Sequence, residues 1–250
     1  LAHYFDAKIY LVHVVEPPMI ANDSFLASVM ITQAEIVEAN SKQLTNEMEM
    51  FNKIYPVSME AFVREGFTTD VIRDLASETD ADLIVMGMKG KGESHSVFGS
   101  TTTRVVRHIA LPVLLVPSKA TFNAIEKIAL ASDFDPETES KQYRLLMKLA
   151  ARFKSKFMVV TVAVGGRDLK QSQVVGKMKT SMAFSEYPTE FHTIKEDSVE
   201  EGLEDFLEDN EHDLLVMLAR GHSFFERLFG KVHTKTMSYK TRKPLLILHD

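Results

Sequence analysis

The sequence predicts an α/β fold, built from two tandem copies of a doubly wound, mainly parallel five-stranded sheet with helices on both faces. Three observations lead to this prediction. The 250 residues are 45% hydrophobic and 26% charged, which is typical of a globular protein with a buried core. Short apolar runs alternate with longer segments of helical period, as expected for βα units around a parallel sheet. The third observation is an internal repeat.

The repeat is visible in three pairs of matching segments. They are 1–12 with 149–160, at a constant offset of 148, 82–86 with 213–217, and 112–116 with 244–248. Each pair has the same order of apolar residues, and in the first pair a helix end leads into a strand. One fold therefore occurs twice, and we expect domains at 1–118 and 119–250, joined by a linker near 118–125.

The elements of the first copy follow from this periodicity. Apolar residues at helical spacing fill 24–53, a stretch long enough that a kink or an interruption is an alternative to one unbroken helix. The predicted strands are 8–15, 57–64, 82–87 and 112–117, and the predicted helices are 24–53, 69–79 and 100–109.

The second copy contains one strand more. Its run of Ser198, Val199, Glu200 and Glu201 is a capping-box pattern, which predicts a helix start. The predicted strands are 126–132, 157–164, 190–195, 213–218 and 244–249, and the predicted helices are 137–154, 170–183, 198–209 and 232–240.

The first copy lacks a counterpart to the strand at 127–132, which an offset of 148 would place before residue 1. In flavodoxin-like and Rossmann-like sheets the first strand is usually central, so its loss leaves a gap. We therefore expect the natural protein to extend upstream by roughly 20–30 residues, a length taken from the repeat.

Composition excludes several classes of protein. The chain has no cysteine, which excludes disulfides and thiolate metal sites. No apolar run approaches the roughly 18 residues of a membrane span, so we expect a soluble, cytoplasmic protein. With 29 basic and 35 acidic residues the net charge is −6, which argues against a nucleic-acid partner. The nine histidines lack zinc-site spacing, so no metal site is predicted.

A glycine-rich segment between a strand and a helix carries the chemistry. Glycines let backbone N–H groups approach a phosphate closely, and a helix start adds free donors and partial positive charge. Lys89 and Lys91 add screening charge, and Thr103 adds a hydroxyl donor. The alternative is that the glycines end a strand and cap a helix, with no ligand. The candidate binding residues are Met86, Gly87, Gly90, Gly99, Ser100 and Thr101.

This segment resembles the ATP-binding signature of the universal stress protein family, here as a tandem two-domain member. The matching features are Gly87 and Gly90 with two residues between them, a spacer, Gly99 with Ser100, a helix, and the apolar strand at 112–116. The spacer, residues 91–98, is eight residues long where the family usually has nine.

The resemblance implies that ATP lies between the glycine loop and the ends of the first two strands. It assigns the adenine contact to Val14, and an aspartate after the first strand to Asp133 of the second copy. Asp133 and Asp135 are also candidate Mg²⁺ ligands beside the nucleotide. Alternatively, Asp133 caps the turn and the next helix.

The second glycine loop is degenerate by the same comparison. Gly221 and Gly230 match Gly90 and Gly99, but other matching positions hold Leu218 and Lys231. A leucine at the close-approach position blocks contact between a phosphate and the backbone. Asp133, Gly221 and Gly230 therefore remain only secondary binding candidates.

The function predicted from these features is that of an ATP-binding, stress-response regulatory protein that signals through conformation or partner binding. No catalytic residue is assigned, and at most slow ATP hydrolysis is expected. The alternatives are a ligand-free interaction scaffold and an adenylating enzyme of the ATP-pyrophosphatase type. The apolar strands 112–116 and 244–248 are expected to pair across the copies. The resemblance implies the same pairing between separate chains, so a homodimer is an alternative.

Overall fold

The computed structural model describes residues 1–17, 26–88, 99–219 and 243–249, and it has the α/β fold that the sequence predicts. The chain divides into two compact units, Leu1–Ala81 and Asp82–Asp250. The predicted domains, 1–118 and 119–250, are the two copies of the sequence repeat, whereas these units are defined by contacts between residues. The domain boundaries therefore stay a prediction. Among the helices described, none is long and apolar enough to cross a membrane.

The first unit holds a two-stranded parallel sheet. Strand β1 (Ile9–Val15) pairs with β2 (Met59–Glu65), with Ile9 opposite Met59. Helix α2 is one helix of 29 residues, so the kink or interruption considered from sequence is not needed to describe it. The helices of this unit are α1 (Ala2–Phe5), α2 (Leu26–Ile54) and α3 (Thr68–Glu78).

The second unit holds a seven-stranded sheet. Helix α7 begins where the capping pattern predicts, because the backbone N–H of Glu201 donates to Ser198 Oγ at 3.1 Å. The predicted helix 232–240 lies outside the described residues. The strands are β3 (Ile84–Gly87), β4 (Val113–Val116), β5 (Lys127–Ala131), β6 (Lys156–Val164), β7 (Thr189–Glu196), β8 (Leu214–Ala219) and β9 (Leu245–His249), and the helices are α4 (Ser100–His108), α5 (Arg144–Phe153), α6 (Gln171–Ala183) and α7 (Val199–Asp209).

The second copy has the predicted doubly wound sheet, with its first strand in the centre. The order is β9-β8-β5-β6-β7, and all four pairings are parallel. Leu130 of β5, Val159 of β6 and Val216 of β8 are fully buried. The core of this copy therefore lies on the three central strands.

The final strands of the two copies pair with each other, as predicted. Strand β4 runs antiparallel to β9, with Leu114 opposite Leu246 and Leu115 opposite Leu245. All four leucines are buried. Two apolar edges therefore cover each other, and β3 and β4 of the first copy join the sheet of the second.

Among the described residues, the first copy has no strand that corresponds to β5. In the second copy β5 joins β6 on one side to β8 on the other. The corresponding strands of the first copy, β1 and β3, belong to different sheets. Strand β1 therefore has one paired edge, and most of its residues are half-exposed, whereas most residues of β6 are buried.

We predict that backbone amides exchange hydrogen with solvent faster in residues 9–14 than in the matching residues 157–162. The physical reason is that β1 has hydrogen-bonded partners on one side only and little cover, so local opening costs less free energy. Hydrogen exchange followed by mass spectrometry on this 250-residue chain tests the prediction. Equal protection of the two segments would contradict it.

Candidate functional site

The end of β3 is held firmly against β4. Gly87 pairs with Val116, and the backbone N–H of the next residue, Met88, donates to the carbonyl oxygen of Val116 at 3.1 Å. The Met88 side chain is buried, whereas Gly87 is exposed. The strand therefore ends with an accessible glycine, followed by the buried side chain of Met88.

The two ends of the glycine loop are joined by a hydrogen bond. The backbone N–H of Gly99 donates to the carbonyl oxygen of Met88 at 2.8 Å. Gly90 and the rest of 89–98 lie outside the described residues. The strand end and the helix start are therefore fixed in relation to each other, which positions both ends of the loop.

Thr102 ties the helix to the strand a second time. Its side chain is 3% exposed, and Oγ1 donates to the carbonyl oxygen of Gly87 at 3.1 Å. Thr102 shares the inner face of α4 with Val105 and Val106, three and four residues later, and both are also buried. Sequence reasoning missed this residue, although its position in that helical pattern distinguishes it from the neighbouring hydroxyl residues.

The start of α4 is suited to an anion. Gly99 is the N-cap residue and makes no side-chain cap, and the first turn contains no acidic residue. The first N–H groups of a helix have no acceptor within the helix, and they carry a partial positive charge. A negatively charged group at this end would therefore be stabilised.

The hydroxyl groups of the first turn differ in their surroundings. Ser100 is exposed and Thr101 is half-buried. Thr103 Oγ1 donates to the carbonyl oxygen of Gly99 at 3.1 Å. Its hydroxyl hydrogen is engaged within the helix, so the expectation that Thr103 supplies a ligand donor is not supported.

The structure brings five of the predicted residues into one unit. Met86 lies in β3 opposite Leu115, and the hydrogen bonds described above connect the end of this strand to the start of α4. Val14 is half-buried near the end of β1, opposite Arg64, in the other unit, so its role stays a prediction. Three further predicted residues, Gly90, Gly221 and Gly230, lie outside the described residues. The five residues are Met86, Gly87, Gly99, Ser100 and Thr101.

The strand register supports the correspondence between Gly87 and Leu218. Gly87 pairs with Val116 in the first copy, and Leu218 pairs with the matching Leu248 in the second. The Leu218 side chain is 7% exposed. At the same position of the sheet, one copy therefore presents an open backbone and the other a packed side chain.

Asp133 and Asp135 shape the turn that follows β5. Asp133 Oδ1 accepts a hydrogen bond from the backbone N–H of Asp135 at 3.2 Å, and Asp135 Oδ1 accepts one from Glu137 at 2.7 Å. Both carboxylates therefore have a local structural role, as the turn-capping alternative expects. Within the part of the chain that the structure describes, no group of three or more His, Asp or Glu residues is placed to hold a metal ion.

A half-buried histidine lies at the same end of the second copy. His249 ends β9, opposite Ala219 of β8. Burial lowers the pKa of His249 below its ordinary value of 6.5. Its Nε2 atom is buried and has no hydrogen-bond partner among the described residues. The neutral imidazole is therefore favoured in the folded protein.

Comparison with known proteins finds that the sequence is similar to one protein family. The model of the universal stress protein family matches the chain twice, over residues 1–117 and 124–249. Universal stress protein G of Salmonella typhimurium is 32% identical over 114 residues, which cover 44% of this chain and 78% of the relative. A universal stress protein of Synechocystis is 26% identical over 196 residues, covering 76% of this chain and 64% of the relative.

The fold is similar to that of a solved structure as well. The crystal structure of a universal stress protein from Archaeoglobus fulgidus superimposes with a TM-score of 0.69. The alignment covers 96% of this chain and 86% of that structure, at 13% sequence identity. The likeness therefore concerns the fold, over almost the whole chain.

We predict that Thr102→Val lowers the free energy of unfolding by about 0.5–1.5 kcal/mol, because the nearly isosteric valine cannot donate to the Gly87 carbonyl. Thr101→Val is the matched control, since Thr101 lies in the same turn but is half-buried. Chemical denaturation measures both variants. An equal effect of the two substitutions would show that the bond to Gly87 contributes nothing specific.

We predict that acid lowers the free energy of unfolding partly through protonation of His249. Below about pH 6.5 the unfolded chain binds a proton that the folded chain, with its lowered pKa, does not yet bind. The free energy of unfolding therefore falls as the pH falls from about 6.5 through the folded-state pKa. His249→Gln should flatten this dependence, measured by denaturation across that range. Identical curves for His249→Gln and the unsubstituted protein would contradict the assignment.

Proposed function

This chain belongs to the universal stress protein family, and from that premise we propose that its first repeat binds ATP where β3 ends and α4 begins. The observation that carries the proposal is the pair of bonds from Gly99 to Met88 and from Thr102 to Gly87. They hold an accessible glycine beside a helix start that has no side-chain cap. This is the arrangement that a phosphate group needs.

The proposed contacts follow from the chemistry of a triphosphate. Its oxygens accept hydrogen bonds from backbone N–H groups at Gly87, at Gly90 and in the first turn of α4, and from the Ser100 and Thr101 hydroxyls. Gly99, whose own N–H donates to Met88, lets the phosphate come close to this turn because it has no side chain. Charge-assisted bonds of this kind are stronger than neutral ones. Met86 precedes the first glycine, and the family resemblance assigns the adenine contact to Val14. Mg²⁺, where present, would enter with the nucleotide and be bound mainly by phosphate oxygens and water.

We propose that the two repeats are unequal and that the chain holds one ATP. The buried Leu218 occupies the position of Gly87, which opposes close approach of a ligand to the second backbone. The Asp133 carboxylate is engaged in its own turn. Asp133, Gly221 and Gly230 therefore belong to a degenerate second site in this proposal.

The proposed role is regulation in the stress response rather than catalysis. The segment from Gly99 to Thr103 contains no side chain that could act as a general base, so any hydrolysis of ATP would be slow. ATP binding would act through conformation or through partner proteins.

A location in the cytoplasm, where ATP is abundant, is part of the proposal. Since β4 and β9 pair within one chain, a homodimer through these strands is not part of it.

We predict that Ser100→Asp lowers the affinity for ATP at least about tenfold, a change that needs only about 1.4 kcal/mol. An aspartate at this position suits the helix itself but repels the phosphates. Ser100→Asn has nearly the same size without the charge and is the matched control. Calorimetric titration should give one ATP per chain for the unsubstituted protein, and a much smaller loss for the asparagine variant.

Three outcomes would contradict the proposal. Two equivalent sites would mean that the second repeat is not degenerate. Equal affinity of the aspartate variant and the unsubstituted protein would place the phosphates elsewhere. A full-length protein that carries no nucleotide when freshly purified and binds none in titration would favour the ligand-free scaffold.

A further inference from the structure

Helix α6 turns its apolar side chains toward solvent. Its buried residues are small or polar, namely Gly176 and Thr180. The outer face carries Val174, Val175, Met178 and Met182, which are 46%, 45%, 63% and 75% exposed. Surface helices normally show the opposite arrangement, with the apolar stripe on the core.

Close packing fixes this orientation of α6. A Cβ atom added at Gly176 would lie 1.9 Å from the carbonyl oxygen of Phe134, so only glycine permits this approach. Thr180 Oγ1 donates to the carbonyl oxygen of Gly176 at 3.0 Å on the same inner face. Rotation of the helix to bury its methionines would push larger side chains against the Phe134 backbone. The exposed stripe is therefore a stable feature of the surface.

The segment containing α5 runs beside α6 and extends this surface. Lys179 Nζ donates to the carbonyl oxygen of Pro136 at 2.5 Å. Beyond it, the rings of Tyr143 and Phe184 are 4.9 Å apart. Further on, Tyr187 donates through its hydroxyl to the carbonyl oxygen of Met147 at 3.3 Å. We call the exposed surface of residues 140–153 and 169–185 the α5–α6 face.

The α5–α6 face is strongly basic in an acidic protein. Residues 140–153 and 169–185 contain seven basic residues and no acidic one, against a net charge of −6 for the chain. Three acidic residues border these ranges: Glu139, which pairs with Lys141 at 2.7 Å, Asp168, which pairs with Lys195 at 2.9 Å, and Glu186. An open groove of about 530 Å³ is lined by Lys141, Arg144, Met147, Lys148, Ala151 and Tyr187, among others. The seven are Lys141, Arg144, Lys148, Arg152, Lys170, Lys177 and Lys179.

We propose that the α5–α6 face binds an acidic amphipathic helix of a partner protein. Val174, Met178 and Met182 recur every four residues, which is the spacing at which one helix contacts another. Methionine adapts its shape to a partner surface at low cost. Cations of the face such as Arg144 and Lys148, which line the groove, match acidic residues along the edges of such a helix, and this complementarity steers association. The proposal does not depend on ATP binding.

Two other anionic partners fit the face less well. Helices that lie in a membrane interface usually expose Trp, Phe or Leu and direct a charged face to water, whereas α6 buries its other face in protein. Single-stranded nucleic acids stack their bases on aromatic side chains, and the exposed stripe of α6 consists of valine and methionine. A phosphate backbone alone would leave this stripe uncovered.

The test uses a short fluorescein-labelled peptide whose leucines form one helical stripe edged by glutamates. Fluorescence anisotropy should show binding to the full chain, with an affinity that falls as salt is added. A peptide of the same composition in scrambled order should bind much more weakly. Met178→Asp combined with Met182→Asp should reduce the affinity at least about tenfold.

Three further variants distinguish binding at the α5–α6 face from general effects of the substitutions. Met50→Asp with Ile54→Asp changes exposed apolar residues of α2 and should leave peptide binding unchanged. Lys148→Glu with Lys177→Glu should weaken binding at low salt, and Lys119→Glu, outside the face, should not. Circular dichroism checks that each variant is folded. If Met178→Asp with Met182→Asp does not fold, Lys148→Glu with Lys177→Glu still tests the proposal.

The following results would overturn the proposal. One is no binding of the patterned peptide, or binding that survives both sets of substitutions on the face. Another is binding of phosphatidylserine vesicles or a single-stranded oligonucleotide, but not the peptide, through the same residues. Self-association in analytical ultracentrifugation that Met178→Asp with Met182→Asp abolishes would assign the face to a second copy instead.

Discussion

The antiparallel pairing of β4 with β9 supports the candidate site. Among the described strands, β3 has β4 as its hydrogen-bonded neighbour, and β4 is joined in turn to β9. Through this pairing, the glycine at the end of β3 rests on the buried sheet of the second copy. The second repeat, which we propose to be degenerate as a nucleotide site, therefore has a structural use, because it supplies the scaffold on which the first repeat presents its helix start.

In our proposal, one copy of the fold binds a ligand and the other supports it. At matching ends of the sheet, the first copy has the exposed Gly87 and the second the packed Leu218. The second copy also uses Asp133 and Asp135 to shape its own turn, and it fits α6 closely over Phe134. In our proposals, this repeat offers an outer protein-binding face instead of a nucleotide site.

Much of the fold could be predicted from the sequence because alternating apolar runs report strands directly. Predicted strand ends lie within two residues of those described. The pairing of β4 with β9 across the two copies was predicted as well. The contact from Thr102 to Gly87 could not be predicted, because it depends on tertiary geometry over 15 residues.

The α5–α6 face could not be predicted from the sequence either. Counting charge by halves gives 20 basic and 20 acidic residues for 119–250, which conceals a local excess. Periodicity places Val174 and Met178 on one face of α6, but only the packing of Gly176 shows that this face points outward.

The most direct test of the central claim is a set of ¹H–¹⁵N spectra of the full-length protein, recorded during addition of ATP. We expect large shifts for the backbone amides of Gly87 and of the first turn of α4, because these N–H groups would donate to phosphate oxygens. The amides of Met88 and Gly99, which are bonded within the protein, should also shift because they would lie beside the bound charge. The amides of Leu218 and Ala219, at the matching positions of the second copy, should shift little. Shifts concentrated at Leu218 and Ala219, or spectra unchanged by ATP, would contradict the account.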